Sequence, residues 1–181
     1  MMDNFWNELQ EELKRGVKEK GHPFRFGTFG TVGMDKLPRL RTIVLRHVFD
    51  NGHLCFYTDK RSKKVMHIME NPNISLLFYN PEKLLQVKIE GLASVVTDEN
   101  KLKTMWKDIP ESNKKDYTTE TAPGSTLKNP NNLEYLTGDH FFCMIEIEPF
   151  RIEYLKLKRP NHIRVAYSME DENWEGEFLV P

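Results

Sequence analysis

The stretch RTIVLR-HVFDNGHLC-FYTDKRSKK, residues 41–64, decides the fold and organises the rest of the chain. Two strand-like runs flank Asn51-Gly52 within it. Asn-Gly between apolar runs predicts a β-hairpin, because a type I′ turn requires positive φ at both central positions, which these residue types tolerate. The second run leads into a loop rich in basic and hydroxyl-bearing residues.

The same stretch is unusually basic. Its 24 residues hold only two acids, although the chain as a whole has a formal net charge of −1. The basic residues of interest in this stretch are Arg41, Arg46, Arg61, Lys63 and Lys64. Such donors suit a bound phosphate, which charge-assisted hydrogen bonds hold well. A helix predicted from Ser62 to Asn71 would add backbone N–H groups that also favour an anion. From the residues alone, a solvated basic rim of the sheet is the alternative interpretation.

Length and composition limit the possible classes. With 181 residues the chain fits one domain, and its near-zero net charge argues against a general nucleic-acid binder. No apolar run is long enough for a membrane helix, and the first residues lack the order of a signal peptide, so we expect a cytoplasmic protein. Cys55 and Cys143 lie in apolar runs and are predicted to be buried thiols. The six histidines share no metal-ligand spacing.

The periodicity of the remaining chain predicts a mainly β protein. A helix is predicted over about 3–20, then consecutive strands from Phe24 to Tyr79, a helix over 98–107, and further strands to Val180, with Pro149 interrupting one of them. The polar segment of about 108–132 lacks periodicity and is typical of a functional flap or a partly disordered loop. Because the strands do not alternate with helices, we expect an antiparallel barrel with peripheral α-helices.

Several short runs, in this order and spacing, resemble the pyridoxamine 5′-phosphate oxidase family: RTIVLR (41–46), FYT (56–58), SKK (62–64), NP (71–72), SLLF (75–78) and QV (86–87). The resemblance continues more weakly to PFRIEY (149–154) and to residues 174–181. It implies one FMN-binding split β-barrel domain over 1–181. It also implies a homodimer with FMN at the interface and an oxidoreductase acting on a small molecule.

The resemblance also implies roles for individual residues. Arg41, Ser62, Lys63 and Lys64 would hold the FMN phosphate. The backbone of Thr42, Ile43, Val44 and Leu45 would run beside the flavin ring. Tyr57 and Thr58 would contact the cofactor, and Gln86 would hydrogen-bond the ring edge. No side chain is assigned as catalytic, because the cofactor carries the chemistry.

Substrate contacts are predicted for Arg46, His162 and Arg164, which could bind an anionic group. Because Arg41 and Arg46 are five residues apart, they point to opposite faces of a regular strand unless a bulge lies between them. The family grips its vitamin B6 phosphate partly with an arginine before a proline, where this chain has Ile109. We therefore expect a different, unassigned substrate. A non-catalytic FMN carrier or redox sensor remains the main alternative, and a barrel that binds haem or a deazaflavin is a third.

Overall fold

A computed structural model describes residues 2–181. The strands are β1 (Phe26–Val32), β2 (Pro38–Val48), β3 (Leu54–Asp59), β4 (Asn73–Asn80), β5 (Leu85–Val95), β6 (Phe142–Lys156), β7 (Ile163–Glu170) and β8 (Asn173–Leu179). The helices are α1 (Met2–Lys18), α2 (Lys63–Glu70), α3 (Glu99–Asp108) and α4 (Glu111–Lys114), with 3₁₀ turns at Pro23–Arg25, Lys115–Tyr117 and Pro130–Asn132.

The sheet closes on itself. Its hydrogen-bonded order is β3-β2-β1-β4-β5-β6-β7-β8, and β3 also pairs with β6, so that six antiparallel strands form a ring which β7 and β8 extend. Closure leaves few free strand edges in the ring. The prediction of a mainly β, antiparallel barrel with peripheral helices is confirmed.

The core follows the two-residue period of the strands. Along β5, Leu85, Val87 and Ile89 are fully buried, whereas the residues between them face outward. Helix α1 adds Leu9 and Leu13 to the same core, and both side chains are buried. The amphipathic pattern of α1 therefore attaches the helix to the barrel.

A second apolar cluster lies outside the ring, beside β3 and β6. Ile109 and Tyr117 from the polar segment pack there against Phe142 and Met144, with Cys55 beneath them. The segment predicted as a flap thus holds α4 and short 3₁₀ turns and is tied down by buried side chains. Cys55 and Cys143 are buried free thiols, as predicted.

The hairpin at the centre of the sequence is present, but its predicted turn type is wrong. The connection is five residues long, 49–53, and Gly52 has a φ of +82° whereas Asn51 does not have a positive φ. The Asn51 side-chain oxygen accepts the backbone N–H of His53 at 3.1 Å, and the Phe49 N–H donates to the His53 carbonyl at 2.9 Å. The side chain of Asn51 thus stabilises a longer turn in place of type I′.

Pro149 does not interrupt its strand, contrary to the prediction. Strand β6 runs through it, because the register against β5 shifts there: Glu90 faces Arg151 and Gly91 faces Pro149, which leaves Phe150 as the extra residue of a bulge. Proline is tolerated in a sheet at such a bulge. Gly91 is required opposite, since a Cβ there would lie 2.5 Å from the Glu148 carbonyl oxygen.

Candidate functional site

The candidate site lies where β2 and β3 separate. The two strands pair only from Leu45–Phe56 to Val48–Leu54, and Arg46 is the extra residue of a bulge within that short ladder. Beyond it, residues 38–44 pair with β1 alone, while β3 continues to pair with β6. A cleft of about 260 Å³ opens between the diverging strands and leaves backbone groups of β2 along one wall.

Arg41 stands beside this cleft without a carboxylate partner. Its Nη1 donates to Thr31 Oγ1 at 2.7 Å and to the Phe29 carbonyl at 3.3 Å. Within residues 2–181, no Asp or Glu oxygen lies within ion-pair distance of its guanidinium. Burial, followed by the nearby charge of Arg39, lowers the pKa of Arg41 from its ordinary value. Its charge is therefore partly desolvated and uncompensated.

Lys64 brings a second such cation. Its Nζ donates to Thr58 Oγ1 at 2.9 Å, and that oxygen lies 3.3 Å from the Ser62 hydroxyl. Ser62 stands at the N-cap of α2, but its side chain turns towards Thr58 and forms no cap hydrogen bond. Burial, and then the proximity of Arg41, lower the pKa of Lys64. Lys64 thus lies beside two buried hydroxyls at the start of a helix, with the charge of Arg41 near enough to act on it, an arrangement that attracts an anion.

Arg61, although part of the basic stretch, is occupied elsewhere. It forms a two-pronged ion pair with Asp59, with Nη2 at 2.7 Å from Oδ2 and Nε at 3.1 Å from Oδ1. It also donates to the carbonyls of Thr119 and Glu120 at 2.7 and 2.8 Å, and it stacks 3.3 Å from the centre of the Phe141 ring. Arg61 therefore fixes the polar segment in place and neutralises the acid nearest to Lys64.

Sequence comparison places this geometry in a family. The family model described as pyridoxamine 5′-phosphate oxidase matches residues 9–154. The chain belongs to the pyridoxamine 5′-phosphate oxidase family. A pyridoxine/pyridoxamine 5′-phosphate oxidase of Psychrobacter cryohalolentis is 33% identical over 98% of this chain and 86% of its own length. A protein of the same name from Bacteroides fragilis is 43% identical over 84% of this chain and 70% of its own length. The resemblance read from the sequence is thus confirmed.

Two solved structures share the fold. A pyridoxamine 5′-phosphate oxidase-related, FMN-binding protein of Nostoc punctiforme has a TM-score of 0.82 at 22% identity, over 97% of this chain and 96% of that one. PhzG of Burkholderia lata, in complex with tetrahydrophenazine-1-carboxylic acid, has a TM-score of 0.80 at 20% identity, over 97% and 91%. At these identities the likeness establishes the fold alone.

The structure brings most of the cofactor residues implied by the family to one cleft. Thr42, Ile43, Val44, Tyr57, Thr58 and Lys64 line it. The side chains of Ile43 and Leu45 point into the core, with 6% and 1% of their surface exposed, so that β2 can offer the cleft only backbone groups at these two positions. Lys63 is exposed, on a different side of α2 from Lys64.

Three implied site residues lie elsewhere. Gln86 is on β5, opposite Tyr79 and Leu155, and does not line the cleft. Arg164, on β7, is paired with Leu155 of β6, and its Nη2 lies 2.7 Å from Glu153 Oε2. His162 is exposed and accepts the backbone N–H of Lys158 at 3.1 Å. Gln86 and Arg164 flank the same residue of β6, so they share a second face of the molecule.

Arg46 borders a smaller pocket of about 200 Å³ that adjoins the cleft. Its lining comprises Arg46, His47, Tyr57, Met105, Asp108, Ile109, Pro110, Asn113 and Tyr117. The Arg46 guanidinium lies 5.7 Å from the Tyr57 ring, and its Nε is buried without a hydrogen-bond partner among residues 2–181. Of the two possibilities raised by the spacing of Arg41 and Arg46, the structure shows the bulge, since Arg46 is its extra residue. Arg46 lines both this pocket and the cleft.

His47 and Tyr57 join this pocket to the cleft. The His47 Nε2 and the Tyr57 hydroxyl are 2.8 Å apart, and the hydroxyl is 3.4 Å from Met105 Sδ. Burial, with a further contribution from Arg46, lowers the pKa of His47, so its ring is neutral at pH 7. Burial also raises the pKa of the Tyr57 and Tyr117 phenols. The pocket therefore holds one cation, Arg46, and one acid, Asp108, among neutral groups.

Sequence reasoning missed three residues that shape the site: Thr31, His67 and Tyr117. Thr31 and His67 contact each other behind Arg41, and Tyr117 lines both cavities. Tyr117 was detectable as an aromatic residue within a polar segment. Thr31 and His67 carried no such signal, because a buried threonine in a strand and a lone histidine in a helix are usually structural.

Proposed function

We propose that this chain binds FMN, with the phosphate held by Arg41 and Lys64, and that it is an oxidoreductase acting on a small anionic substrate. One observation carries the proposal: two partly buried cations without a carboxylate partner lie near each other, and one of them, Lys64, is at the N-terminus of α2 beside the hydroxyls of Thr58 and Ser62. Uncompensated buried charge is unfavourable in a free protein, and a bound dianion removes that cost.

The residues around this phosphate site suit the rest of FMN. Thr42 and Val44 face outward on the unpaired edge of β2, and Tyr57 stands opposite on β3, so the cleft offers backbone groups together with the apolar surfaces of Val44 and Tyr57. A flavin ring needs that combination. When bound, FMN supplies reversible hydride transfer, which no side chain can provide. The fold neighbour from Nostoc punctiforme, described as FMN-binding, supports the same cofactor.

The pocket beside Arg46 supports an enzyme rather than a flavin carrier, since it opens next to the cleft and has room for a small molecule. Its charges point to the class of substrate. Arg46 is offset by Asp108, and Ile109 stands where the family resemblance places a phosphate-gripping arginine. A single carboxylate fits this balance better than a phosphate dianion. PhzG, with the same fold, holds a carboxylic acid.

A homodimer would complete the site. Gln86 and Arg164 face a different side of the molecule from the cleft, and within the barrel ring β1 and β4 separate β5 from β2. If Gln86 contacts the flavin, it must therefore come from a second copy. In a two-fold dimer the same pair of surfaces is used twice, which gives two equivalent composite sites.

Purified protein titrated with FMN tests the cofactor assignment. Because a charged hydrogen bond contributes roughly 2 kcal/mol, we expect Arg41→Ala to weaken FMN binding about 30-fold. Arg39→Ala is the matched control, since Arg39 lies two residues away and is paired with Asp35; its Kd should stay within about threefold of the wild-type value. Equal affinities for wild-type protein and Arg41→Ala would show that the phosphate assignment is wrong.

A second measurement separates enzyme from carrier. Holoprotein is mixed anaerobically with reduced aromatic carboxylic acids, and loss of the oxidised flavin absorbance is followed. Bleaching that depends on the carboxylate and is lost in Arg46→Gln supports the proposed substrate class. Faster bleaching of the flavin by pyridoxamine 5′-phosphate than by any carboxylic acid would contradict the proposed substrate class.

A further inference from the structure

A buried pair of side chains supports Arg41 from behind. Arg41 Nη1 donates to Thr31 Oγ1 at 2.7 Å, and that oxygen lies 3.1 Å from His67 Nδ1. A threonine hydroxyl has one hydrogen to donate. Because Arg41 can only donate, the Thr31 hydrogen is free to point at His67 when the Nδ1 of that ring is unprotonated. In this arrangement a chain of donation runs from Arg41 on β2 through Thr31 on β1 to His67 on α2.

This chain is built into the protein interior. Thr31 is 1% exposed and His67 is 8% exposed, although both are polar. Gly33 makes room for the imidazole, since a Cβ at that position would lie 2.9 Å from His67 Cδ2. Buried polar groups are costly unless they are fully hydrogen-bonded, so this contact orders the groups on both sides of it.

We propose that Thr31 and His67 are positioning residues for the cofactor phosphate, and this inference rests on the proposed FMN site. Thr31 Oγ1 and the Phe29 carbonyl accept from Arg41 Nη1, and His67 contacts Thr31 from the other side, while Arg41 Nε and Nη2 have no partner among residues 2–181. The guanidinium is thus held from one side, with its remaining donors available to a ligand. Fixing a flexible side chain beforehand reduces the ordering cost of binding.

The chain also makes FMN binding sensitive to pH. Protonation of His67 Nδ1 would remove the acceptor for the Thr31 hydroxyl and place a second donor against its oxygen. The charged groups near the ring are Arg39 and Arg41, which disfavour its protonation, and Glu70 and Asp35, which favour it; with burial as the largest effect, the pKa of His67 is lowered from 6.5. The supporting, neutral form is present above that lowered pKa. FMN affinity should therefore fall as the pH drops through it.

Two pairs of variants, with FMN and riboflavin as probes, test the positioning role. Thr31→Val and His67→Leu remove one partner each, whereas Thr31→Ser retains the hydroxyl and His67→Asn retains an acceptor near the Nδ1 position without a titrating group. We expect the first pair to weaken FMN binding roughly tenfold, the scale of one hydrogen bond, and the second pair to stay near wild type. Riboflavin lacks the phosphate, so its Kd should change less than about twofold in all four variants.

The pH profile gives an independent readout. The FMN phosphate itself titrates near pH 6, so wild type is compared with His67→Asn over a range of roughly 2.5 units, from about pH 7.5 to about pH 5, which includes that ionisation. We expect the wild-type Kd to rise more steeply on acidification than the Kd of His67→Asn. Parallel profiles would overturn the pH sensitivity, whereas equal losses of FMN and riboflavin affinity, or unchanged FMN affinity in Thr31→Val, would overturn the positioning role. If Arg41→Ala also left FMN affinity unchanged, the phosphate site itself would be wrong.

Discussion

Lys63 and Lys64 are neighbours with the same side chain, but their environments in the structure differ. Successive residues of a helix point about 100° apart. At the start of α2 this rotation leaves Lys63 exposed and brings Lys64 to the Thr58 hydroxyl at 2.9 Å. The family resemblance implies a phosphate role for both residues. Lys64, which lies beside the buried hydroxyls, is the one that we propose as the direct phosphate contact.

Alanine variants of the two lysines therefore provide a matched pair. We expect Lys64→Ala to weaken FMN binding roughly 10- to 100-fold, because it removes a partly buried charged donor. Lys63→Ala should change the Kd less than about threefold, since an exposed charge is screened by salt. Titration at two salt concentrations measures both effects. Equal losses in the two variants would show that Lys63 also reaches the phosphate.

At the level of elements, features set by local sequence signals could be predicted, whereas features set by the pairing of distant strands could not. The hairpin, α2 and the outward alternation of β5 follow from turn residues and periodicity within a few positions. The opening between β2 and β3 does not, because it arises where β3 leaves β2 and pairs with β6, a strand almost a hundred residues away in sequence. The bulge at Arg46 and the passage of β6 through Pro149 likewise depend on a partner strand. Contacts such as that between Thr31 and His67 appear only after these pairings are set.

The polar segment shows how one side chain can order a whole element. Arg61 reaches from the end of the hairpin to the carbonyls of Thr119 and Glu120, and an isolated bridge between Thr119 and Tyr135 closes the same segment. Asp116, Tyr117 and Pro123 of this segment line the cleft. The segment predicted as a flap is therefore held against the site by an arginine that the sequence alone grouped with the phosphate ligands.

Arg61→Ala should release this segment without unfolding the barrel. We expect faster amide hydrogen exchange across residues 115–121 and faster tryptic cleavage near Lys114 and Lys115, while exchange in β5 stays unchanged. Mass-spectrometric hydrogen exchange on the free protein measures both regions in one experiment. Arg151→Ala is the control, since Arg151 lies on β6 away from the segment. Unaltered exchange at 115–121 in Arg61→Ala would mean that the apolar cluster around Tyr117 alone holds the segment.

At the scale of the whole molecule, the residues predicted for the cofactor and for the substrate lie on two surfaces. Thr58 and Lys64 line the cleft between β2 and β3, with Arg41 close to Lys64, whereas Gln86 and Arg164 lie on the face formed by β5 to β7. Exposed apolar side chains lie around the ring as well, among them Phe26, Leu40, Tyr79 and Phe150. Two of these, Leu40 and Phe150, line one groove, and exposed apolar surface of this kind is common at interfaces between copies of a chain. The proposed homodimer would bring the two surfaces together.

Mixing two defective chains tests this arrangement directly. Arg41→Glu repels the phosphate, and Gln86→Ala removes the predicted contact to the ring. In a composite site each FMN takes Arg41 from one copy and Gln86 from the other, so a mixed dimer holds one intact site and one doubly defective site. Random re-pairing of equal amounts should therefore restore about a quarter of all sites, measured as bound FMN at a concentration between the wild-type and Gln86→Ala Kd values. If both residues served the same site from one chain, every site in the mixture would carry one defect, and mixing would restore none.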